Sequence, residues 1–119
     1  MPESFAEYMP HIRARQRREQ HEWESRREVA WAGAHRAAEL LRTRFGARQV
    51  IAFGSLVRLG PYDANSDIDL AVEGIVPRQF FRASAVEATA VGQFELDLID
   101  LADCPARLRA EILREGVRL

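Results

Sequence analysis

The sequence predicts an α/β (α+β) domain in which a small mixed β-sheet is flanked by helices and entered through one long N-terminal helix. Three observations carry this. Residues 11–45 contain no proline, and only Gly33 interrupts strong helix formers. Three short segments, 49–53, 67–72 and 94–100, have the apolar content and two-residue period of strands, and a helical stretch separates the last two. The 119 residues, 47% of them hydrophobic, suit a single domain with a modest core.

The elements follow in order. Ser4 or Pro10 marks a helix start. Residues 11–28 are almost wholly polar, with opposite charges three and four apart, such as Glu22 with Arg26 and Glu24 with Arg27. Trp31, Ala34, Ala38, Leu41 and Phe45 then recur at helical spacing as a packing stripe, and Gly46 stands where a terminating glycine belongs. Gln49–Phe53 is a buried strand running into Gly54-Ser55, which opens a short helix. Residues 60–66 form a loop. Asp67–Val72 is the second strand. Pro77 begins a helix over 78–91 with Phe81, Val86 and Ala90 toward the core, and Gly92 ends it. Phe94–Asp100 is the third strand, and Pro105 opens a last helix through about Arg114. Val117 and Leu119 form a short edge strand or tuck into the core. The division expected is an N-terminal helical extension, 1–47, packed on a core of 48–119.

Charge excludes some function classes. The net charge is −1, which gives no global attraction to nucleic acid or anionic membranes. It is unevenly spread: residues 1–48 hold ten arginines against seven glutamates, so the remainder is acidic. Every basic residue is arginine. The lone Cys104 rules out an internal disulfide and suits a reducing cytoplasm, and we expect a small buried residue there. The start, Met1 to Ser4, has no secretory pattern, and no apolar run reaches the ~20 residues that span a bilayer.

The chemistry gathers at Gly54-Ser55 and Asp67-x-Asp69. Strand alternation turns Asp67 and Asp69 to one face and Ile68 and Leu70 to the other. Two neighbouring carboxylates repel unless water or a cation holds them, and Mg²⁺ takes hard oxygen ligands of this kind. In the third strand Leu96 and Leu98 fill one face, leaving Asp97 on the other with Glu95 and Ile99. If the two strands are neighbours, Asp97 joins the pair, and three carboxylates surround one or two ions. Two ions about 4 Å apart stabilise both the attacking and leaving oxygens of a phosphoryl displacement. Gly54 admits a phosphate close to the backbone, Ser55 caps the next helix and donates to phosphate, and Arg58 adds a charge-assisted contact.

Other residues weigh less. Asp63 reads as a turn former and Asp100 as an end-of-strand cap. Glu95 is either a partner to the site or solvated. His11, His21 and His35 lack metal-ligand spacing. Trp23, in a polar stretch, hints at a protein contact. The Arg-rich helix fits three readings: a solvated face, a docking surface for a partner or second copy, or an RNA contact weakened by its glutamates.

The run FGSLVRLGPYDANSDIDLAVEG followed by FELDLIDL resembles the minimal nucleotidyltransferases (MNT), a small branch of the DNA polymerase beta-like nucleotidyltransferase superfamily. The resemblance covers roughly residues 48–119. It implies a nucleotidyltransferase fold, with Gly54 and Ser55 as the phosphate-binding pair and Asp67, Asp69 and Asp97 as metal ligands and catalytic residues. It further implies Mg²⁺-dependent transfer of AMP from ATP. Many members are antitoxins encoded beside a HEPN-domain RNase toxin, and some modify a tyrosine of that toxin. Two alternatives stand beside this enzyme: an antitoxin acting by occlusion with a vestigial site, and a small-molecule nucleotidyltransferase. The sequence departs from the family pattern in two places. Eleven residues, 56–66, separate Ser55 from Asp67, and Leu59 stands where many members have glycine after the arginine.

Overall fold

A long run of helix formers with few β-branched residues makes the first helix, and small side chains decide where it packs. In the computed structural model, which describes the backbone of residues 5–119 and side chains from Met9 onward, α1 spans Phe5–Phe45. At 1.5 Å per residue that is about 60 Å of helix, and the molecule's longest dimension is 65 Å. Ser4, one expected start, lies outside the described residues. Pro10, the other, sits inside the helix. A proline there removes one N–H from the ladder, a loss that near a helix end touches only the outermost turns.

The expected stripe packs. Ala34, Ala38 and Leu41 are fully buried, Trp31 and Phe45 partly so, and Ala30 and Ala37 widen the face. Alanines keep the helix close to its neighbours. Gly46 ends the helix with φ +73°, a conformation that costs glycine little, and the Ala47 N–H closes on the Leu41 carbonyl at 3.0 Å. Trp23, set in a polar stretch, is partly buried and packs against the main core cluster.

The remaining elements are β1 (Gln49–Phe53), a single 3₁₀ turn (Gly54–Leu56), β2 (Ile68–Glu73), α2 (Pro77–Ala90), β3 (Leu96–Asp100), α3 (Ala106–Glu115) and β4 (Val117–Arg118). The sheet order is β3-β2-β1-β4. β1 runs antiparallel to β2 and β4, and β2 runs parallel to β3 through the α2 crossover. The C-terminal segment is thus the edge strand, and Leu119 packs beside it against the core.

Alternation gives the sheet two apolar faces. Val50, Ala52, Ile68, Leu70 and Val72 join the α1 alanines and α2 in the larger cluster. Ile51 and Ala71 face the other way and meet Leu101 and Ile112, with Phe53, Cys104 and Leu108 alongside. Cys104 is a free, half-buried thiol.

α2 overturns one expectation. Phe81, expected in the core, is 86% exposed, and Val86 is only half-buried. The inward face carries Phe80, Ala83 and Glu87 instead. Glu87 is fully buried, and neither carboxylate oxygen has a hydrogen-bond partner. A charged residue on the inner stripe hides the true phase of the helix from an apolar-only reading.

Burial pushes the Glu87 carboxyl up to about 7, against the opposing pull of Arg44. The folded chain therefore holds the proton more tightly than the unfolded chain. The associated stability is complete below the unfolded value near 4.5 and is lost as pH rises through about 7. Glu87→Gln is expected to gain roughly 1–3 kcal/mol over the parent at pH 8 and little at pH 4.5. Urea denaturation at the two pH values measures this, and equal differences at both would refute it.

Candidate active site

The site forms where three strand ends meet on the α3 side of the sheet. Antiparallel register sets Phe53 opposite Asp69, and parallel register sets Asp69 opposite Asp97. Directly paired residues project from the same face. Asp97 therefore stands beside Asp69, the neighbour relation the sequence left conditional. A cleft of about 310 Å³ opens here, lined by Gly54, Ser55, Arg58, Asp69 and Asp97. Its far wall comes from α3: Leu108, Glu111, Ile112 and Glu115. These four were missed from sequence, although they recur at helical spacing on one face and that signal was available.

Gly54 has φ +75°. A Cβ at this position would run into Oδ2 of Asp69 and lie 3.2 Å from its Cγ. The glycine thus meets two demands, a left-handed backbone and the close approach of a carboxylate. The following helix is shorter than expected. It is one 3₁₀ turn with Ser55 inside it, and its N-cap position is Phe53, with no side-chain cap. Ser55 is therefore not a helix cap, and one turn supplies no substantial helix dipole. What remains of the expected phosphate loop is the open Gly54 backbone and the Ser55 hydroxyl.

Asp67 lies just before β2 and lines a neighbouring cleft with Arg26, Asn65, Ser66 and Glu95. Its carbonyl accepts a hydrogen bond of 2.9 Å from the Tyr62 hydroxyl. Tyr62, another residue the sequence did not single out, is fully buried. Its phenol is pushed up to about 12, first by burial, with Asp67 and Asp69 adding to the rise and Arg26 and Arg27 opposing it. It stays protonated at neutral pH and remains a donor. Asp63 forms the expected turn, accepting from the Asn65 N–H at 2.9 Å, and Asp100 caps its strand end, accepting from the Ala102 N–H at 3.0 Å.

The electrostatics are those of crowded acids. The Asp69 carboxyl is raised above its ordinary value by burial first, then by Asp97 and Asp67, while Arg58 opposes the shift. Arg58 Nη2 lies 3.9 Å from Glu111 Oε1 across the cleft, with both side chains largely exposed. Negative charge around Asp69 thus exceeds what the chain neutralises. That imbalance, the all-oxygen donor set and the cleft bordered by Gly54 and Ser55 fit a hard divalent cation and a phosphate. Among the described residues, no three His, Cys, Asp or Glu side chains are gathered tightly enough to hold an ion by themselves.

No family model and no curated protein sequence matches the chain. Solved structures do. One described as a minimal nucleotidyltransferase superposes with a TM-score of 0.65 at 29% identity, over 78% of this chain and 95% of that one. A toxin–antitoxin structure with AMP-PNP gives 0.60 at 22% identity, covering 71% and 70%. A tri-AMPylated HEPN toxin of Shewanella oneidensis in complex with an MNT antitoxin gives 0.55 at 21%, covering 75% and 70%. The chain is similar to minimal nucleotidyltransferases and has a nucleotidyltransferase-like fold.

Gly54→Ala is expected to cost about 1–3 kcal/mol, because a side chain must occupy a left-handed conformation and displace the Asp69 carboxylate. Chemical denaturation of the variant measures the loss; a change within about 0.5 kcal/mol would show that neither demand is real.

Proposed function

We propose that the chain is an Mg²⁺-dependent nucleotidyltransferase that moves AMP from ATP to a hydroxyl of a partner protein. The acceptor best supported is a tyrosine of a HEPN-domain toxin, with the chain acting as its antitoxin in the cytoplasm. One observation carries the reading: Asp69 and Asp97 stand side by side in register with the Gly54 backbone against Asp69. A sheet rarely pairs two carboxylates directly, because like charges opposite one another destabilise it. The similarity to a minimal nucleotidyltransferase, and to toxin–antitoxin structures that contain AMP-PNP or an AMPylated HEPN toxin, supports this reading of the reaction and the partner.

Asp67, Asp69 and Asp97 would hold one or two Mg²⁺ ions, whose charge would offset that of the phosphates. The chain's own residues do the rest. Gly54 and Ser55 border the cleft that takes the triphosphate, the Ser55 hydroxyl donates to a phosphate oxygen, and Arg58 supplies a guanidinium at the cleft rim. Asp97, the most open of the carboxylates, accepts the proton of the attacking hydroxyl. The new bond joins the acceptor oxygen to the α-phosphorus, the bond from that phosphorus to the bridging oxygen breaks, and pyrophosphate leaves. Positioning and charge neutralisation account for most of the acceleration. No helix among the described residues is long and apolar enough to cross a membrane.

The decisive experiment incubates the chain with α-labelled ATP, Mg²⁺ and a HEPN-domain toxin. Label on a toxin tyrosine is expected, and Asp69→Asn should lower the rate by roughly a hundredfold or more while the circular dichroism spectrum is preserved. A rate unchanged in that variant sinks the proposed role of the site.

A further inference from the structure

The segment 56–66 joins the two halves of the proposed site, and its own hydrogen bonds lie at its two ends. At the start the Val57 N–H reaches Gly54 O at 3.2 Å; at the end the Ser66 N–H reaches Asp63 O at 3.0 Å, the Asp63 N–H reaches Ser66 Oγ at 3.1 Å and the Asn65 N–H reaches Asp63 Oδ1 at 2.9 Å. Further hydrogen bonds come from α1. Arg26 donates from Nε to Asp63 O at 2.8 Å, and its guanidinium carbon lies 4.8 Å from the Phe94 ring centroid. Arg27 donates from Nη2 to Gly60 O at 2.9 Å and reaches Ser55 O at 3.5 Å, with its guanidinium carbon 5.3 Å from the Tyr62 ring centroid. Tyr62 passes the hold on to Asp67 through its hydroxyl.

These arginines were expected to pair with Glu22 and Glu24 along their own helix. They do not: among the described residues neither forms a salt bridge, and both turn across to the loop. The Arg27 Nε is buried with no acceptor. A surface arginine with no task would keep its head in water, because desolvating a charge without a counter-charge is unfavourable. The planar fork is what makes this geometry possible. One guanidinium reaches carbonyls at both the start and the middle of the loop while resting on an aromatic face.

We propose that Arg27, seconded by Arg26, is a positioning residue for the transfer site, fixing loop 56–66 from the N-terminal helix so that Ser55 at one end and Asp67 at the other keep a single arrangement. What that arrangement serves rests on the nucleotidyltransferase reading; the ordering of the loop rests on the contacts alone. α1 is then a working part of the site, and the longer spacing between Ser55 and Asp67 is stabilised by contacts the loop does not contain.

The test uses the full chain with Arg27→Met, which keeps the aliphatic stem and removes the fork, and Arg27→Lys, which keeps charge without the fork. Amide hydrogen exchange reads the loop with no activity required. In Arg27→Met, loop amides are expected to exchange roughly tenfold faster while β1 and β2 keep their protection, and Arg27→Lys should recover only part of the loss. In the transfer assay kcat should fall about tenfold with KM for ATP within about twofold, since a looser loop lowers the fraction of competent molecules. Should Arg27→Met not fold, Arg27→Lys and Arg26→Met carry the same comparison. Loop protection equal to the parent's overturns the proposal, as does a uniform rise through β1 and β2, which marks general destabilisation. A parent chain that labels no acceptor defeats the nucleotidyltransferase reading, and the exchange measurement still decides whether Arg27 fixes the loop.

Discussion

A carboxylate pressed against a backbone with no side chain is the constraint on which the rest of this molecule depends. Asp69 occupies the space where a Cβ of Gly54 would stand, and Gly54 holds a left-handed turn that other residues adopt at a cost. The strand arrangement follows from that contact. β1 must end where β2 begins, antiparallel to it, so that the turn after Phe53 folds over Asp69. β3 must join parallel through α2, so that Asp97 falls level with Asp69. Burial first, and then the neighbouring Asp97 and Asp67, hold the Asp69 carboxyl above its ordinary value, against the pull of Arg58.

The sheet supports this by burying both faces. α1 and α2 cover the side carrying Leu70 and Val72, and α3 covers the side carrying Ile51 and Ala71. The cleft opens between the strand ends and α3. Polar groups are accepted into the interior on different terms. Tyr62 is buried with its hydroxyl satisfied by Asp67 O, whereas Glu87 is buried with nothing to satisfy it. The first ties a loop to the site, and the second sets the protonation at which the helix pair is most stable.

α1 joins two physical regimes. Its second half is an alanine-rich packing face, and its first half projects as a charged rod. Between them, Trp23, Arg26 and Arg27 anchor the helix to the core and to the loop beside the aspartates. A boundary drawn at residue 47 separates an extension from a core by sequence pattern, yet the α1 alanines and the sheet share one apolar cluster.

What the sequence by itself determined was local: three strand segments and their helices, the glycine after Phe45, and the turn at Asp63. These follow from backbone periods and from the steric character of glycine, proline and aspartate, which act over a few residues. What only the tertiary structure decided was non-local. It brought Asp97 level with Asp69, because register depends on which strands pair. It turned Glu87 inward and Phe81 outward, because a helix takes its phase from the surface it meets. It turned Arg26 and Arg27 from neighbouring glutamates to loop carbonyls 33 and 37 residues away, because a half-buried fork resting on aromatic rings binds better than an exposed pair screened by water.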